Sequence, residues 1–231
     1  MRSLTPSEAK AFYDKFGSKQ DSQSFYESAA LDRLVANSSF ASARSVFEFG
    51  CGTGRLASDL LEHHLPAGAV YRGIDISSTM VGLASARLAP YGDRASVSLA
   101  SSEVALGIEE HSIDRLVSTY VIDLLPGPAV RQFLAEAKRV LRPDGLLCLV
   151  GITHGTTSLS RLVMGIWQWL FTRNPSWVGG CRPTRLTEQL PAAEWNVHFR
   201  TVEISWGIAS EIVVASPSIV KIGAPTPVTQ A

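Results

Sequence analysis

The stretch Val46-Phe47-Glu48-Phe49-Gly50-Cys51-Gly52-Thr53-Gly54-Arg55 decides the fold of this chain. A short apolar strand carrying one acid runs directly into three glycines at alternate positions, and a helical pattern follows at once. Glycine has no Cβ, so it adopts positive φ readily and lets a ligand approach the backbone closely. A strand, a glycine turn and a helix N-terminus form the usual nucleotide-binding crevice of an open α/β sheet. The stretch therefore predicts such a crevice, with Glu48 placed to accept hydrogen bonds from an amine near the turn.

The spacing of the glycines differs from that of dinucleotide-binding turns. Those turns read G-x-G-x-x-G, whereas here the third glycine is Gly54 and the next residue is Arg55. A glycine-rich turn that merely joins a strand to a helix is the plainer alternative. The rest of the chain must decide between the two interpretations.

Strands and helices alternate along the chain. The hydrophobic pattern predicts five strands, at about 45–49, 70–76, 95–100, 115–119 and 146–152, with helices between most of them. Two further strands, about 196–204 and 211–215, have no helix between them and should pair as an antiparallel hairpin. The pattern predicts an α/β fold with a doubly wound seven-stranded sheet, mostly parallel and ending in a C-terminal antiparallel hairpin.

Composition restricts the class of protein. The chain has 231 residues, enough for one domain with modest additions, and 45% of them are hydrophobic. Lys and Arg together number 21, as do Asp and Glu, so no overall charge attracts nucleic acid. Three separated cysteines predict neither a disulfide framework nor a metal site. With no apolar leader and no spanning segment, we expect a cytoplasmic protein.

The chain divides into three predicted parts. Residues 1–43 are predicted to form an N-terminal helical cap, and residues 44–216 the main domain. Within that domain, an aromatic-rich insertion at about 155–192 is predicted to form a lid over a small apolar ligand. The tail, 217–231, is rich in Pro and Thr and is predicted to be flexible.

The segment from Glu48 to Gly54 matches, at every position, the first motif of the class I S-adenosylmethionine-dependent methyltransferases. That motif is an apolar strand, an acid, one residue and then G-x-G-x-G, and the chain resembles this family over roughly residues 40–216. The resemblance implies the family's Rossmann-like methyltransferase fold. It also implies S-adenosyl-L-methionine as the cofactor, contacted by Glu48, Gly50, Cys51, Gly52 and Gly54.

A second acid follows the second predicted strand. Asp75 lies 25 residues after Gly50, where a carboxylate can accept both ribose hydroxyls of a nucleoside lying across the strand ends. The family's second-strand acid binds the ribose, and Asp75 fits that position; a solvated acid capping the next helix is the alternative. Ile76 and Met80 are expected to contact the adenine, although ordinary helix packing explains Met80 equally well.

The turn after the third strand departs from the family pattern. A common pattern there has an Asp that accepts from the adenine amine, and this position falls on Ser101, followed by Ser102. A hydroxyl accepts more weakly than a carboxylate. Adenine selectivity is therefore expected to be softer here, unless Glu103 substitutes.

Four residues are candidates for catalysis or for closing the site. In the family, residues just past the fourth strand border the methionine part of the cofactor and face the acceptor, which implies roles for Tyr120 and Asp123. A half-buried aromatic and a helix cap are their alternatives. His154 lies just past the fifth strand, and histidine is a residue type that suits proton transfer. Tyr13 is expected to contact the cofactor, because N-terminal segments in several branches of the family fold over it.

The resemblance implies methyl transfer to a small-molecule methyl acceptor, which the aromatic insertion predicts to be apolar or aromatic. A neutral chain without basic stripes argues against nucleic acid as the acceptor. Two alternatives stay open: a catalytically silent cofactor-binding regulatory protein of the same fold, and a nicotinamide-dependent oxidoreductase.

Overall fold

The fold is built on one seven-stranded sheet with the strand order β3-β2-β1-β4-β5-β7-β6. The structure, a computed structural model, describes residues 4–100, 104 and 106–218. Neighbouring strands from β3 to β5 are parallel, and β7 is antiparallel to both β5 and β6. The strands are β1 (Ser45–Phe49), β2 (Val70–Asp75), β3 (Ala95–Leu99), β4 (Ile113–Thr119), β5 (Leu141–Ile152), β6 (Trp195–Ser205) and β7 (Ile208–Pro217).

Helices cover the sheet and its carboxyl edge. They are α1 (Pro6–Phe16), α2 (Ser24–Asn37), α3 (Arg55–Asp59), α4 (Ser78–Leu88), α5 (Gly127–Val140) and α6 (Ser158–Arg173). A π-helical turn, Leu60–His64, continues α3, and 3₁₀ segments include Gly17–Gln23 between α1 and α2 and Pro175–Val178 after α6. No helix of the described residues has the length and apolar character needed to cross a bilayer.

Alternate residues of the central strands enter two different cores. Val46 and Val117 pack with α2 and α3 on one face, whereas Phe47 and Leu116 pack with α5 on the other. Burial on both faces is what a parallel sheet between two helical layers requires. The predicted α/β architecture and its C-terminal hairpin are therefore confirmed.

The fifth strand begins earlier than predicted. It was expected at about 146–152, but β5 already begins at Leu141 and includes the segment Arg142-Pro143-Asp144-Gly145. Ile113 pairs with Leu141 and Arg115 with Leu146, so three extra residues are accommodated on β5 as a bulge. A bulge leaves the extra residues without partners in the ladder. Pro143 is exposed, whereas Gly145 is buried, and a Cβ there would lie 2.9 Å from the carbonyl oxygen of Ile113.

The glycine turn after β1 is held by β2 and lies at the carboxyl edge of the sheet. The N–H groups of Gly50 and Cys51 both donate to the carbonyl of Ile74, at 2.8 and 3.0 Å. Gly50 has a φ of +81°, and a Cβ added there would lie 2.3 Å from Cγ2 of Val121. Gly50 therefore needs to be glycine both for its conformation and for its close approach to the segment after β4.

Candidate active site

A cavity of about 240 Å³ lies at the carboxyl ends of β1, β2 and β4. The glycine turn forms one end, α1 and the segment Gly17–Gln23 cover it, and residues after α6 close the other side. Most of the residues that the sequence predicts for the site line this one cavity: Tyr13, Glu48, Gly50, Cys51, Gly52, Asp75, Ile76 and Tyr120.

Asp75 links the end of β2 to the glycine turn. Its Oδ2 accepts the Gly52 N–H and its Oδ1 accepts the Ser77 N–H, both at 2.9 Å. Burial raises the pKa of Asp75, and the two N–H groups oppose that rise. A carboxylate offers about four acceptor positions, so each oxygen keeps a lone pair for a ligand in the cavity.

Glu48 is buried beneath the glycine turn and already has a donor. The hydroxyl of Tyr71, on β2, donates to Glu48 Oε2 at 2.5 Å. Burial raises the pKa of Glu48 to about 7, against the opposing effect of that hydrogen bond. The sequence predicted an amine donor for Glu48; among the described residues its donor is a phenol.

The buried Glu48 makes stability depend on pH. Its pKa is higher in the folded chain than the usual 4.5, so its stabilising contribution is complete below pH 4.5 and is lost as pH rises through 7. The shift corresponds to up to ~3 kcal/mol. The wild type should therefore lose unfolding free energy between pH 5 and pH 8. We expect this loss to be smaller, by up to ~3 kcal/mol, in Glu48→Gln, which keeps an acceptor for Tyr71. Urea unfolding across this pH range measures it.

The matched control is Glu62→Gln, because Glu62 is an exposed acid on the π-helical turn. Its unfolding curve should show the pH dependence of the wild type. A Glu48→Gln curve parallel to that of the wild type would mean that Glu48 stays ionised throughout the range.

The segment Gly17–Gln23 is fastened to the glycine turn by a polar network. Thr53 Oγ1 donates to Asp21 Oδ1 at 2.6 Å, and Arg87 donates to Asp21 Oδ2 at 2.6 Å and to Thr53 Oγ1 at 2.7 Å. Next to this network, the Gln20 amide lies about 3 Å from where a Cβ on Gly52 would be. Within the part of the chain that the structure describes, the buried Gln20 Oε1 has no hydrogen-bond partner.

Tyr13 closes the cavity from α1. Its hydroxyl donates to the carbonyl of Gly179, in the segment after α6, at 3.2 Å. Burial raises the pKa of Tyr13 well above its usual value. The contact joins α1 to the segment after α6, and both Tyr13 and Gly179 line the cavity.

Tyr120 stands at the end of β4, between the glycine turn and α2. It has a φ of +58°, a conformation that non-glycine residues adopt rarely. Its ring meets that of Tyr26 edge to face at 5.9 Å, and its hydroxyl is 3.0 Å from Ser210 Oγ. The strained backbone at Tyr120 therefore directs its ring into the cavity, where a hydrogen bond and a ring contact hold it.

Glu27 also lines the cavity, and the sequence analysis missed it. It lies on α2, is buried, and pairs with Arg55 at 3.2 Å. Burial raises its pKa to about 7, although Arg55 acts in the opposite direction. The signal was present in the helical phase: Ala30, Leu31 and Leu34 are three, four and seven residues further on, so Glu27 falls on the apolar face of α2.

Asp123 lies behind the cavity wall. Its Oδ2 accepts the Ile152 N–H at 3.2 Å, and burial raises its pKa to about 6. The Cys181 thiol lies beside this carboxyl and lines the cavity. Among the described residues no group makes a hydrogen bond of regular geometry to Asp123 Oδ1. Asp123 is thus a buried acid one side chain away from the cavity, and not a helix cap.

His154 lies outside the cavity, contrary to the expectation that it shares the crevice edge. After β5 the Thr153 N–H donates to the carbonyl of Ala209, which carries the chain toward the hairpin. His154 is exposed and lines a separate surface cleft with Arg185 and Arg200.

Met80 and Gly54 were predicted for the site but do not line the cavity. Met80 is fully buried in the core and is not among the cavity-lining residues, as the helix-packing alternative expects. Gly54 begins α3, and a Cβ there would lie 3.1 Å from Cα of Ala84, so its role is close packing of α3 on α4. Ser101 and Ser102, with Glu103, lie outside the described residues. No group of His, Cys, Asp or Glu among the described residues has the arrangement of a metal site.

Comparison with known proteins identifies the domain. Residues 46–145 match the family model described as a methyltransferase domain. The chain is 33% identical over 112 residues to a demethylmenaquinone methyltransferase of Lactococcus lactis, covering 48% of this chain and 43% of that protein. It is 27% identical over 150 residues to a tRNA N(3)-methylcytidine methyltransferase of Drosophila melanogaster, covering 61% and 46%.

The fold is also shared with solved structures. A chain of the complex between the Haloferax volcanii Trm112 methyltransferase activator and a putative methyltransferase superposes with a TM-score of 0.70 at 15% identity. The alignment covers 91% of this chain and 98% of that one. The chain spans about half or less of the length of the first curated relatives that it matches.

Proposed function

We propose that this chain, which belongs to the class I S-adenosylmethionine-dependent methyltransferase family, transfers a methyl group to a small apolar or aromatic acceptor. The observation that carries the proposal is one continuous cavity. The glycine turn and Asp75 line it together with aromatic side chains and the buried acid Glu27. We assign a first end, at the glycine turn and Asp75, to the cofactor and a second end, at the aromatic side chains and Glu27, to the acceptor, because the enzyme must hold both reactants next to each other.

The residues of the first end fit the family's cofactor, S-adenosylmethionine. The cofactor supplies an electrophilic methyl group on a sulfonium. We assign the ribose hydroxyls to the free lone pairs of Asp75 and the amino-acid end to the glycine turn. The buried Gln20 amide, whose Oε1 lacks a partner among the described residues, supports this assignment, since it lies against Gly52 and suits an ammonium group.

The residues of the second end favour a neutral acceptor with an ionisable proton. Apolar and aromatic side chains such as Phe12, Tyr26 and Trp167 line the cavity, which suits a phenol or an amine on an apolar body. Two acids with raised pKa values, Glu27 and Asp123, lie at or just behind the wall. They would repel an anionic acceptor when ionised. The name of the demethylmenaquinone methyltransferase relative points to a small-molecule acceptor for that protein, which is in keeping with this class.

Glu27 is our candidate for the base that takes the proton of the acceptor. A general base works best with a pKa near the working pH, and Glu27 has a pKa of about 7. Glu27 and Tyr120 both line the cavity, and burial together with the charge of Glu27 raises the pKa of Tyr120. The remaining residues align the reactants and exclude water, with Tyr13 and Gln20 closing the covered side.

Two measurements test the proposal. Calorimetric titration with S-adenosylhomocysteine beside NAD separates it from the oxidoreductase alternative, which predicts heat only with NAD. Transfer of an isotopically labelled methyl group to a panel of phenols and amines separates it from the silent cofactor-binding alternative. Binding of S-adenosylhomocysteine without turnover on any member of a broad panel would favour the silent protein.

We also propose that residues 1–43 act as a cap over the cofactor and that residues 155–192 act as a lid over the acceptor. The network of Asp21, Thr53 and Arg87 is the fastening of the cap. We expect Asp21→Ala to weaken S-adenosylhomocysteine binding about fivefold, since a partly exposed network of this kind contributes roughly 1 kcal/mol. Calorimetry measures the affinity.

The matched control is Asp32→Ala, because Asp32 is an exposed acid on the neighbouring helix α2. That variant should bind with wild-type affinity. Wild-type affinity in Asp21→Ala as well would show that the cap contributes nothing to cofactor retention.

A further inference from the structure

One face of α6 is apolar and exposed. Leu159, Leu162, Ile166 and Trp169 follow one another at intervals of three, four and three residues, so they share one side of the helix. Their exposed fractions are 66, 62, 52 and 53%, respectively. Single exposed apolar residues are common, but a contiguous row along three turns marks an interaction surface. We call these four side chains the α6 stripe.

Two aromatic rings extend the apolar surface beside the stripe. Trp206, in the turn between β6 and β7, is 80% exposed, and its ring is 6.5 Å from that of the exposed Phe25. The same turn packs on α6, since a Cβ on Gly207 would lie 2.7 Å from Cγ2 of Val163. The surface therefore combines a helix with the rings next to it.

The segment of the chain that contains the stripe carries only positive charge. Between Thr153 and Thr187 the chain has four arginines and neither Asp nor Glu, although acids and bases balance over the whole chain. Two of the four, Arg161 and Arg173, are exposed on α6 itself. The guanidinium of Arg173 lies 5.2 Å from the centre of the Trp169 ring, so one of these charges adjoins the stripe directly.

We propose that the α6 stripe docks on an anionic lipid surface. Leu, Ile and Trp on one face with arginines beside them form the pattern by which a helix lies in a membrane interface. Anionic headgroups attract the arginines when the helix lies near the lipid surface. A second copy of this chain is a poorer occupant, because pairing two stripes would bring Arg161 and Arg173 of both copies together.

The docking face lies on a helix that also closes the cavity. On the opposite side of α6, Trp167 lines the cavity and its indole N–H donates to the carbonyl of Cys181 at 2.8 Å. One helix diameter, about 10 Å, separates the proposed lipid contact from the cavity. Lipid contact would thus place the cavity next to the bilayer, where apolar compounds concentrate.

Co-sedimentation with vesicles tests the proposal. The vesicles contain phosphatidylglycerol with phosphatidylcholine, or phosphatidylcholine alone. We expect the wild type to bind the anionic vesicles, and the triple variant Leu162→Gln, Ile166→Gln, Trp169→Gln to bind them at least tenfold more weakly. The matched control is Val70→Gln, Leu99→Gln, Val197→Gln, which replaces three other exposed apolar residues, all on strands, and should bind like the wild type. Arg161→Gln with Arg173→Gln should abolish the preference for anionic vesicles.

Three results would overturn the proposal. The first is that the wild type fails to bind anionic vesicles at low salt, and the second is that the triple stripe variant binds them as well as the wild type. The third is that sedimentation velocity shows a dimer of the wild type that is absent only in the triple stripe variant. S-adenosylhomocysteine titration of every variant reports the integrity of the fold at a separate site. It also keeps failure of this proposal distinct from failure of the proposed function.

Discussion

We expect Glu27→Gln to lower kcat for methyl transfer roughly 100- to 1000-fold, within the range that general-base catalysis supplies. Glutamine has nearly the same shape but takes up no proton at neutral pH. In the wild type, kcat/KM should rise with pH and level off above pH 7, because only the ionised carboxylate accepts a proton. The variant should lack this limb of the profile. Labelled-methyl turnover of the best phenol or amine from the panel, between pH 5.5 and 8.5, measures both effects.

A purely structural role for Glu27 predicts a different outcome. Glu27 pairs with Arg55 at the start of α3, so its loss removes a partly buried ion pair and lowers thermal stability. Asp123→Asn is the matched control, since it neutralises another buried acid beside this cavity. If Glu27→Gln is less stable but keeps its pH limb and its kcat, the base lies elsewhere. If instead Asp123→Asn loses the rise of kcat/KM with pH, Asp123 is the base, and the Cys181 thiol beside it lies at the cavity wall.

The fold was predictable because its signals are local. Three alternate glycines follow a strand that carries Glu48, and each strand–helix junction shows its own change of hydrophobic period. The last two strands lack a helix between them, which was enough to predict the antiparallel hairpin of β6 and β7. Local signals specify elements and the connections between neighbouring elements, and these determine most of an open sheet.

The covering of the site was less predictable because its contacts join distant parts of the chain. Asp21 is hydrogen-bonded to Arg87, 66 residues further along the chain, and Tyr13 to Gly179, 166 residues further along. Neither pair forms a motif that spacing reveals. The prediction for His154 was wrong for the same reason. Its position after β5 suggested that it lies at the edge of the crevice, but the pairing of β5 with β7 turns the chain away from that edge.

Asp75→Ala should weaken S-adenosylhomocysteine binding by at least tenfold, and about 100-fold if both ribose hydroxyls bond to the carboxylate. Hydrogen bonds to a charged group contribute roughly 1.5–3 kcal/mol each. Asp75 also holds the Gly52 N–H, so its removal loosens the glycine turn that faces the other part of the cofactor. Both effects act in the same direction. Isothermal calorimetry at pH 7.5 measures the dissociation constant.

The control separates cofactor contact from loss of a backbone acceptor. Asp114 accepts the N–H groups of Arg44 and Ser45, at 2.8 and 3.0 Å, near the start of β4 and away from the cavity. Asp114→Ala should lose stability in the same way as Asp75→Ala but bind S-adenosylhomocysteine normally. Equal affinities in the two variants and the wild type would remove Asp75 from the cofactor site. Equal weakening in both would mean that general destabilisation, and not a lost ribose contact, lowers the affinity.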